Sequence, residues 1–164
     1  FLSDNGGPTK ELTSSNLPLR GEKGQMYEGG IRVPFLFQWV SKIPGGKTYD
    51  RPVLSTDIFA TILAAAKVPK PKDHWECYDL VPYLNGKYNE DPHEFLYWKQ
   101  SHKAAFRVGD MKIVRQSPKR WELYDLADDP SESNNLINDE PKKFKSLLEG
   151  WEKIDSSMVK HLFK

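Results

Sequence analysis

The chain has 164 residues, of which 38% are hydrophobic and 12% aromatic, enough apolar material to bury a sizeable core. Its formal net charge of +1 and the lack of a long lysine- and arginine-rich run argue against a nucleic-acid-binding surface. No apolar stretch approaches the length of a membrane span. A single cysteine, Cys77, excludes an internal disulfide and is interpreted as a packing residue.

The first residues join the end of an apolar strand to a polar loop. Phe1 to Ser3 has the composition of the last residues of a buried strand, and Asp4-Asn5-Gly6-Gly7 follows directly. Asp4 and Asn5 place two hard oxygen donors side by side, and the glycines let the backbone approach a bound group, which suits Ca²⁺ or Mg²⁺. The same residues are also ordinary turn formers, so the tetrapeptide alone leaves both interpretations open.

Residues 8–30 are polar and glycine-rich, which predicts a long loop or a set of turns. Within it, Lys23 provides a mobile cation on open backbone, suited to binding an oxyanion. Glu28 and Arg32 flank Gly29-Gly30 at a four-residue spacing, so we expect the two side chains to pair and brace the loop. Local chemistry alone favours a solvated basic turn.

The next two segments predict a strand and a helix. Ile31 to Val40 is a nearly continuous apolar run, typical of a buried strand, and Pro34 restricts its place in a sheet. Ser55 to Lys67 predicts a helix capped by Ser55 or Thr56. The expected apolar face of this helix consists of Ile58, Phe59, Ile62, Leu63 and Ala66.

The second half of the chain has the pattern of a small antiparallel sheet followed by a helix. Alternating residues and turn signals predict strands at Phe95–Lys99, Ala104–Val108, Met111–Arg115 and Trp121–Leu126. A terminal helix begins near Pro141 and carries apolar residues from Phe144 to Leu162 at steps of three and four. We therefore expect two domains: an α/β part over residues 1–88 and an α+β subdomain over residues 89–164.

The order of the motifs resembles a known family. S-D-N-G-G at residues 3–7 and L-R-G-E-K-G-Q-M-Y-E-G-G-I-R-V-P at residues 19–34 are similar to motifs of the formylglycine-dependent sulfatases, within the alkaline phosphatase-like superfamily. The resemblance covers essentially the whole chain and ends with E-L-Y-D-L-A-D-D-P at residues 122–130. It implies the carboxy-terminal portion of an arylsulfatase or glycosaminoglycan-type sulfatase, with an α/β fold followed by a small α+β subdomain.

The resemblance also implies roles for individual residues. Asp4 and Asn5 match ligands of the active-site calcium, and Lys23 matches the lysine that contacts the substrate sulfate. Glu28 and Arg32 match structural members of the same motif. Trp98 lies in a region that approaches the pocket mouth in such enzymes, where it would stack on a sugar ring, although a structural tryptophan is the competing interpretation.

The nucleophile of the family has no counterpart in this sequence. Sulfatases convert the Cys or Ser of a C/S-x-P-x-R motif to formylglycine, whereas Cys77 is followed by Tyr78-Asp79-Leu80-Val81. Ser117-Pro118 has its proline one position too early. Since the attacking group is missing, we expect this chain alone to be inactive and its half calcium site to bind weakly or not at all.

Two alternatives remain open from the sequence. One is a fragment of another member of the superfamily, a phosphate or phosphonate ester hydrolase, in which the oxyanion geometry is similar. The other is a non-catalytic domain that binds a glycan or completes a partner chain. We expect the apolar strand to be covered by the missing amino-terminal portion or by self-association. The resemblance implies a periplasmic, extracellular or lysosome-like location.

Overall fold

The computed structural model describes residues 1–11, 14–69 and 76–159 of the chain. The chain forms two compact units, one of Phe1–Leu2 with Phe35–Glu94 and one of Ser3–Pro34 with Phe95–Lys164. The glycine-rich segment Ser3–Pro34 therefore folds with the second half of the chain. The domain boundary between residues 88 and 89 stays a prediction.

Over the described residues, short helices come first in the chain and the sheet follows them. The elements are α1 (Glu28–Ile31), α2 (Asp57–Ala65), α3 (Val81–Leu84), β1 (Leu96–Gln100), β2 (Lys103–Val108), β3 (Met111–Ser117), β4 (Arg120–Asp125) and α4 (Pro141–Ser157).

The strands form one antiparallel sheet in the order β1-β2-β3-β4, as the sequence predicts. Between β2 and β3, Val108 lies opposite Met111, which leaves Gly109-Asp110 as a two-residue turn. Gly109 has a φ of 56°, in the left-handed region that glycine enters without the steric cost of a Cβ. Local turn chemistry thus sets the register of this hairpin.

Helix α4 covers one face of the sheet. It begins at Pro141, where a missing N–H costs nothing because the first helical turn has no intrahelical acceptor for it. Its buried side chains are Leu147 and Trp151. The buried cluster on this face comprises Ala104, Phe106, Ile113, Leu123, Leu147 and Trp151. The predicted terminal helix is confirmed, and its last predicted position, Leu162, lies outside the described residues.

The opposite face of the sheet is covered by α1 and the loop before it. Met26 and Tyr27 from this loop are buried with Ala105, Val114 and Tyr124 of the sheet. Because neighbouring residues of a strand point to opposite faces, each strand contributes side chains to the clusters on both faces of the sheet. The sheet therefore supports the glycine-rich loop on one side and α4 on the other.

Asp57, at the start of α2, organises the other unit. Its carboxylate is fully buried and accepts hydrogen bonds from the Leu54 amide (2.7 Å) and the Tyr78 amide (2.9 Å). The ring nitrogen Nε2 of His93 lies 2.8 Å from the same carboxylate. The predicted side-chain cap by Ser55 or Thr56 does not form. Thr56 is the N-cap residue but makes no side-chain cap hydrogen bond, and the side chain that bonds to backbone at this end of the helix is Asp57, which accepts from the Leu54 amide.

The predicted strand at Ile31 to Val40 is wrong. Ile31 ends α1, and the segment beyond it makes a single antiparallel bridge, between Leu2 and Phe35. Leu36 and Val40 are 63% and 86% exposed. A strand needs neighbours that accept and donate its backbone hydrogen bonds, and no further strand pairs with this segment in the described part of the chain.

The predicted apolar face of α2 is also only partly buried. The buried residues of this helix are Asp57, Ala60 and Thr61, whereas Phe59 and Ile62 are 41% and 59% exposed. The helix is held through its polar side instead: the Thr61 hydroxyl donates to the Asp57 carbonyl and accepts from the Leu80 amide.

We predict that Asp57→Ala destabilises the chain by about 2–4 kcal/mol, because two amides and a buried imidazole lose their acceptor. Urea unfolding measures the free-energy change. Asp50→Ala is the matched control, since Asp50 is exposed and its loss should change stability by no more than about 0.5 kcal/mol. Equal unfolding midpoints for the two variants would contradict the role assigned to Asp57.

Candidate functional site

The S-D-N-G-G segment lies beside the loop that carries Lys23. The Ser3 amide donates to the Pro34 carbonyl (3.2 Å), and the Gly6 amide donates to the Gly30 carbonyl (3.0 Å). A Cβ on Gly6 would lie 1.8 Å from the Gly29 carbonyl oxygen, so only glycine permits this approach. The structure thus brings the two sequence motifs together through their backbones.

Asn16, which the sequence analysis did not identify, joins the same two segments through hydrogen bonds. Its side-chain oxygen accepts from the Gly7 amide (3.0 Å), and its side-chain nitrogen donates to the carbonyls of Gly7 (2.9 Å) and Gly21 (3.0 Å). The Lys23 amide also donates to the Gly7 carbonyl, at 3.4 Å. Asparagine provides the donor and the acceptor that this junction needs, and partners nine and five residues away leave no recognisable motif in the sequence.

The side-chain oxygen atoms of Asp4 and Asn5 are available to bind another group. Asp4 is exposed and Asn5 is half-buried, and neither side chain makes a hydrogen bond or ion pair with the described residues. These donors suit a hard cation, but Ca²⁺ takes six to eight oxygen ligands. No group of three His, Cys, Asp or Glu residues that could hold a metal occurs in the described ranges. The pair therefore fits calcium in chemistry and supplies only part of a ligand set.

Lys23 is exposed. Its ammonium group makes no ion pair within residues 1–11, 14–69 and 76–159. The neighbouring Lys10 differs, because it pairs with Glu22 at 3.1 Å. An ammonium group without an ion-pair partner, on a glycine-rich loop, is suited to bind an oxyanion.

Two contacts fix the loop to the sheet on either side of Lys23. The Arg20 guanidinium donates to the Tyr124 hydroxyl (2.9 Å) and stacks 3.9 Å from the centre of the Tyr27 ring. The Tyr27 hydroxyl donates to Glu122 (2.6 Å). Burial and the Glu122 carboxylate raise the pKa of Tyr27, and they raise the pKa of Tyr124 to about 12. Both phenols therefore stay protonated as donors at neutral pH.

Glu28 is buried, but it does not pair with Arg32 as predicted. Its carboxylate lies 2.7 Å from the ammonium group of Lys112, which is itself fully buried on β3. The Arg107 guanidinium lies 3.9 Å from the other Glu28 oxygen. Arg32 is exposed, and its amide donates to the Glu28 carbonyl. A buried ammonium on a strand is a stronger partner than an exposed guanidinium one helical turn away.

Glu132 completes this cluster, and the sequence analysis missed it. Its carboxylate is fully buried, lies 2.8 Å from the Lys112 ammonium and accepts from the Glu28 amide at 2.6 Å. Burial raises the pKa of Glu132, although Lys112 acts in the opposite direction. We call Glu28, Lys112 and Glu132 the buried triad. The one local signal was a lysine between the apolar residues Met111 and Ile113 of β3.

Trp98 lies on β1 and is half-buried against the cluster that contains Met26 and Tyr27. This placement beside the loop agrees with a structural tryptophan. Stacking of Trp98 on a sugar ring stays a prediction.

Three comparisons place the chain among known proteins. The family model described as N-sulphoglucosamine sulphohydrolase, C-terminal, matches residues 21–156. Human steryl-sulfatase is 38% identical over 105 residues, which is 59% of this chain and 18% of that protein. N-acetylgalactosamine-6-O-sulfatase of Bacteroides thetaiotaomicron is 29% identical over 179 residues, 91% of this chain and 34% of that protein.

The fold is similar to the crystal structure of Ps i-CgsB in complex with k-i-k-neocarrahexaose. The TM-score is 0.81 at 28% identity, over 93% of this chain and 35% of that one. The chain thus spans 18–35% of the length of these three proteins. These similarities confirm the resemblance and the fold class that the sequence predicts.

We predict that Glu132 makes the stability depend on pH in one direction. A carboxyl whose pKa is raised in the folded state binds its proton more tightly there, so its contribution is fully present below the unfolded value of 4.5 and is lost as pH rises from that value through the folded pKa. The free energy of unfolding of the wild type minus that of Glu132→Gln should therefore decrease from acid to neutral pH. Urea unfolding at a series of pH values measures it.

Glu152→Gln is the control, because Glu152 is exposed on α4 and its difference from the wild type should stay flat. A Glu132→Gln difference that is flat, or that grows with pH, would contradict the prediction.

Proposed function

Because the chain belongs to the sulfatase family defined by the C-terminal region of N-sulphoglucosamine sulphohydrolase, we propose that it is the carboxy-terminal part of an enzyme that hydrolyses sulfate esters of a sulfated carbohydrate. The observation that carries the proposal is the junction of the two motifs. The uncommitted side chains of Asp4, Asn5 and Lys23 lie on backbone segments joined by the Gly6–Gly30 and Lys23–Gly7 hydrogen bonds.

In this proposal Lys23 binds the sulfate group of the substrate. Its ammonium donates to sulfate oxygens and stabilises the charge that develops on them as the ester bond breaks. Asp4 and Asn5 would hold a Ca²⁺ ion together with ligands from outside this chain, and a bound Ca²⁺ supplies Lewis-acid stabilisation of the same oxygens. Glu28 and Arg32 do not touch the substrate; Glu28 fixes the loop through Lys112.

A carbohydrate substrate is favoured by two of the similar proteins. One is named N-acetylgalactosamine-6-O-sulfatase, and the other was solved with a neocarrahexaose. The name of human steryl-sulfatase indicates a sterol rather than a sugar as the alcohol that leaves. The experiment therefore has to distinguish a sugar leaving group from a sterol. Trp98 would contribute by stacking on the sugar ring.

The chain by itself is proposed to be inactive. The sequence lacks the C/S-x-P-x-R nucleophile motif, and Cys77 is buried. Exposed apolar side chains at Leu36, Phe37 and Val40 support a covering partner, either the remainder of the parent enzyme or a second copy. No helix in the described ranges is both long and apolar enough to cross a bilayer.

In the intact enzyme, Lys23→Ala should lower kcat/KM for a sulfated sugar by more than tenfold, which is about 1.4 kcal/mol of lost transition-state stabilisation. Steady-state kinetics with a sulfated monosaccharide, a steroid sulfate and a phosphate monoester measure the effect and the substrate class. Lys142→Ala, an exposed change on α4, is the control and should have wild-type kinetics. An effect of Lys23→Ala on thermal stability alone would show Lys23 to be a solvated loop residue.

A further prediction concerns the metal. Asp4→Ala should abolish turnover of the intact enzyme, because it removes a charge as well as a ligand from the calcium site. The 164-residue chain should bind Ca²⁺ weakly or not at all by calorimetry. Sub-micromolar affinity in the isolated chain would rule out a half site, and Asp50→Ala serves as the control for loss of one exposed carboxylate.

A further inference from the structure

The turn that presents Lys23 is exposed at its two central residues. Residues Glu22 to Gln25 close this turn through the bond from the Gln25 amide to the Glu22 carbonyl (3.0 Å). We call Lys23 and Gly24 the tip of the loop. Both are exposed, Gly24 has a φ of 79°, and a Cβ on it would meet no atom within 4 Å. Side-chain packing therefore does not fix the tip.

One residue of the sheet bonds to the tip in the described part of the chain. The ammonium group of Lys103 donates to the Gly24 carbonyl at 2.6 Å. Lys103 is half-buried and begins β2, where it lies opposite Gln100 of β1. A lysine normally retains several rotamers, so a bond this short restricts both the side chain and the carbonyl that accepts from it.

The hairpin that carries Lys103 is itself braced. The Arg115 guanidinium donates to the His102 carbonyl at 2.8 Å. It also lies 4.7 Å and 4.9 Å from the ring centres of Trp121 and Trp151. Lys103 thus reaches the tip from a support that is packed into the core beneath α4.

We propose that Lys103 is a positioning residue for Lys23. By holding the Gly24 carbonyl, it fixes the direction in which the neighbouring Lys23 ammonium points toward the sulfate group. The inference rests on the proposed function, in which Lys23 is the sulfate contact. Lys103 acts through Lys23 and does not itself touch the substrate.

The test is a double-mutant cycle in the intact enzyme. Lys103→Met should lower kcat/KM for a sulfated sugar roughly tenfold, because small errors in placing a binding group are costly. In the Lys23→Ala background the same change should have less than about a twofold effect, since residues that act through one another are not additive. Lys103→Arg, which keeps the donor, should restore most of the activity, and Lys142→Met is the matched control.

A second measurement does not depend on turnover. In the 164-residue chain, Lys103→Met should accelerate hydrogen exchange of the Gln25 amide roughly tenfold, because the turn it closes loses its link to the sheet. Lys142→Met should leave that rate unchanged, and the unfolding midpoint in urea should be the same for both variants.

The outcomes separate the inference from the proposed function. If Lys23→Ala loses activity and Lys103→Met keeps it, the inference fails while the role of Lys23 stands. Additive losses, or an unchanged Gln25 exchange rate, also overturn it. If Lys23→Ala is fully active, the proposed role of Lys23 fails and the inference fails with it.

Discussion

The buried ammonium group of Lys112 is the constraint on which the site depends. Burying a charged group is costly unless it is paired, and Lys112 has two carboxylates within hydrogen-bonding distance. Glu28 comes from the glycine-rich loop, Lys112 from β3 and Glu132 from the turn after β4. Removing Lys112 would leave two buried carboxylates without their shared ammonium, and removing either carboxylate would take one partner from that ammonium, so segments that are distant in sequence are fixed to each other.

This ion cluster explains why the loop is so rich in glycine. Once Glu28 is drawn onto the sheet, the residues after it run close to other backbone. A Cβ on Gly29 would lie 2.6 Å from the Arg20 carbonyl oxygen, and one on Gly30 would lie 2.2 Å from that of Gln25. Glycine removes those clashes. The loop can then lie flat enough for Gly6 to bond to Gly30, which brings Asp4 and Asn5 alongside.

The sequence predicted those parts of the structure that local patterns determine. The four strands and α4 follow from alternation, turn residues and three- and four-residue spacing, and their bounds differ from the prediction by only a few residues. The prediction of a strand at Ile31 to Val40 was wrong because an apolar run indicates burial, whereas a strand also needs neighbouring strands to pair with. Glu28 was assigned Arg32, the nearest cation in sequence, although its partner lies 84 residues away. Lys103 and Glu132 also act through distant contacts, and Asn16 acts through backbone groups nine and five residues away.

The charges around the loop are arranged so that Lys23 remains available. Glu22 neutralises Lys10 at 3.1 Å, and the carboxylates of the buried triad neutralise Lys112. Lys103 is bound to a carbonyl rather than to an acid, so it holds the tip without quenching a charge. If an acidic residue anchored the tip instead, it would pair with Lys23 and compete with an anionic substrate. A cationic anchor on the sheet therefore fixes the loop and preserves its positive potential, which would make the antiparallel sheet a working part of the proposed anion site.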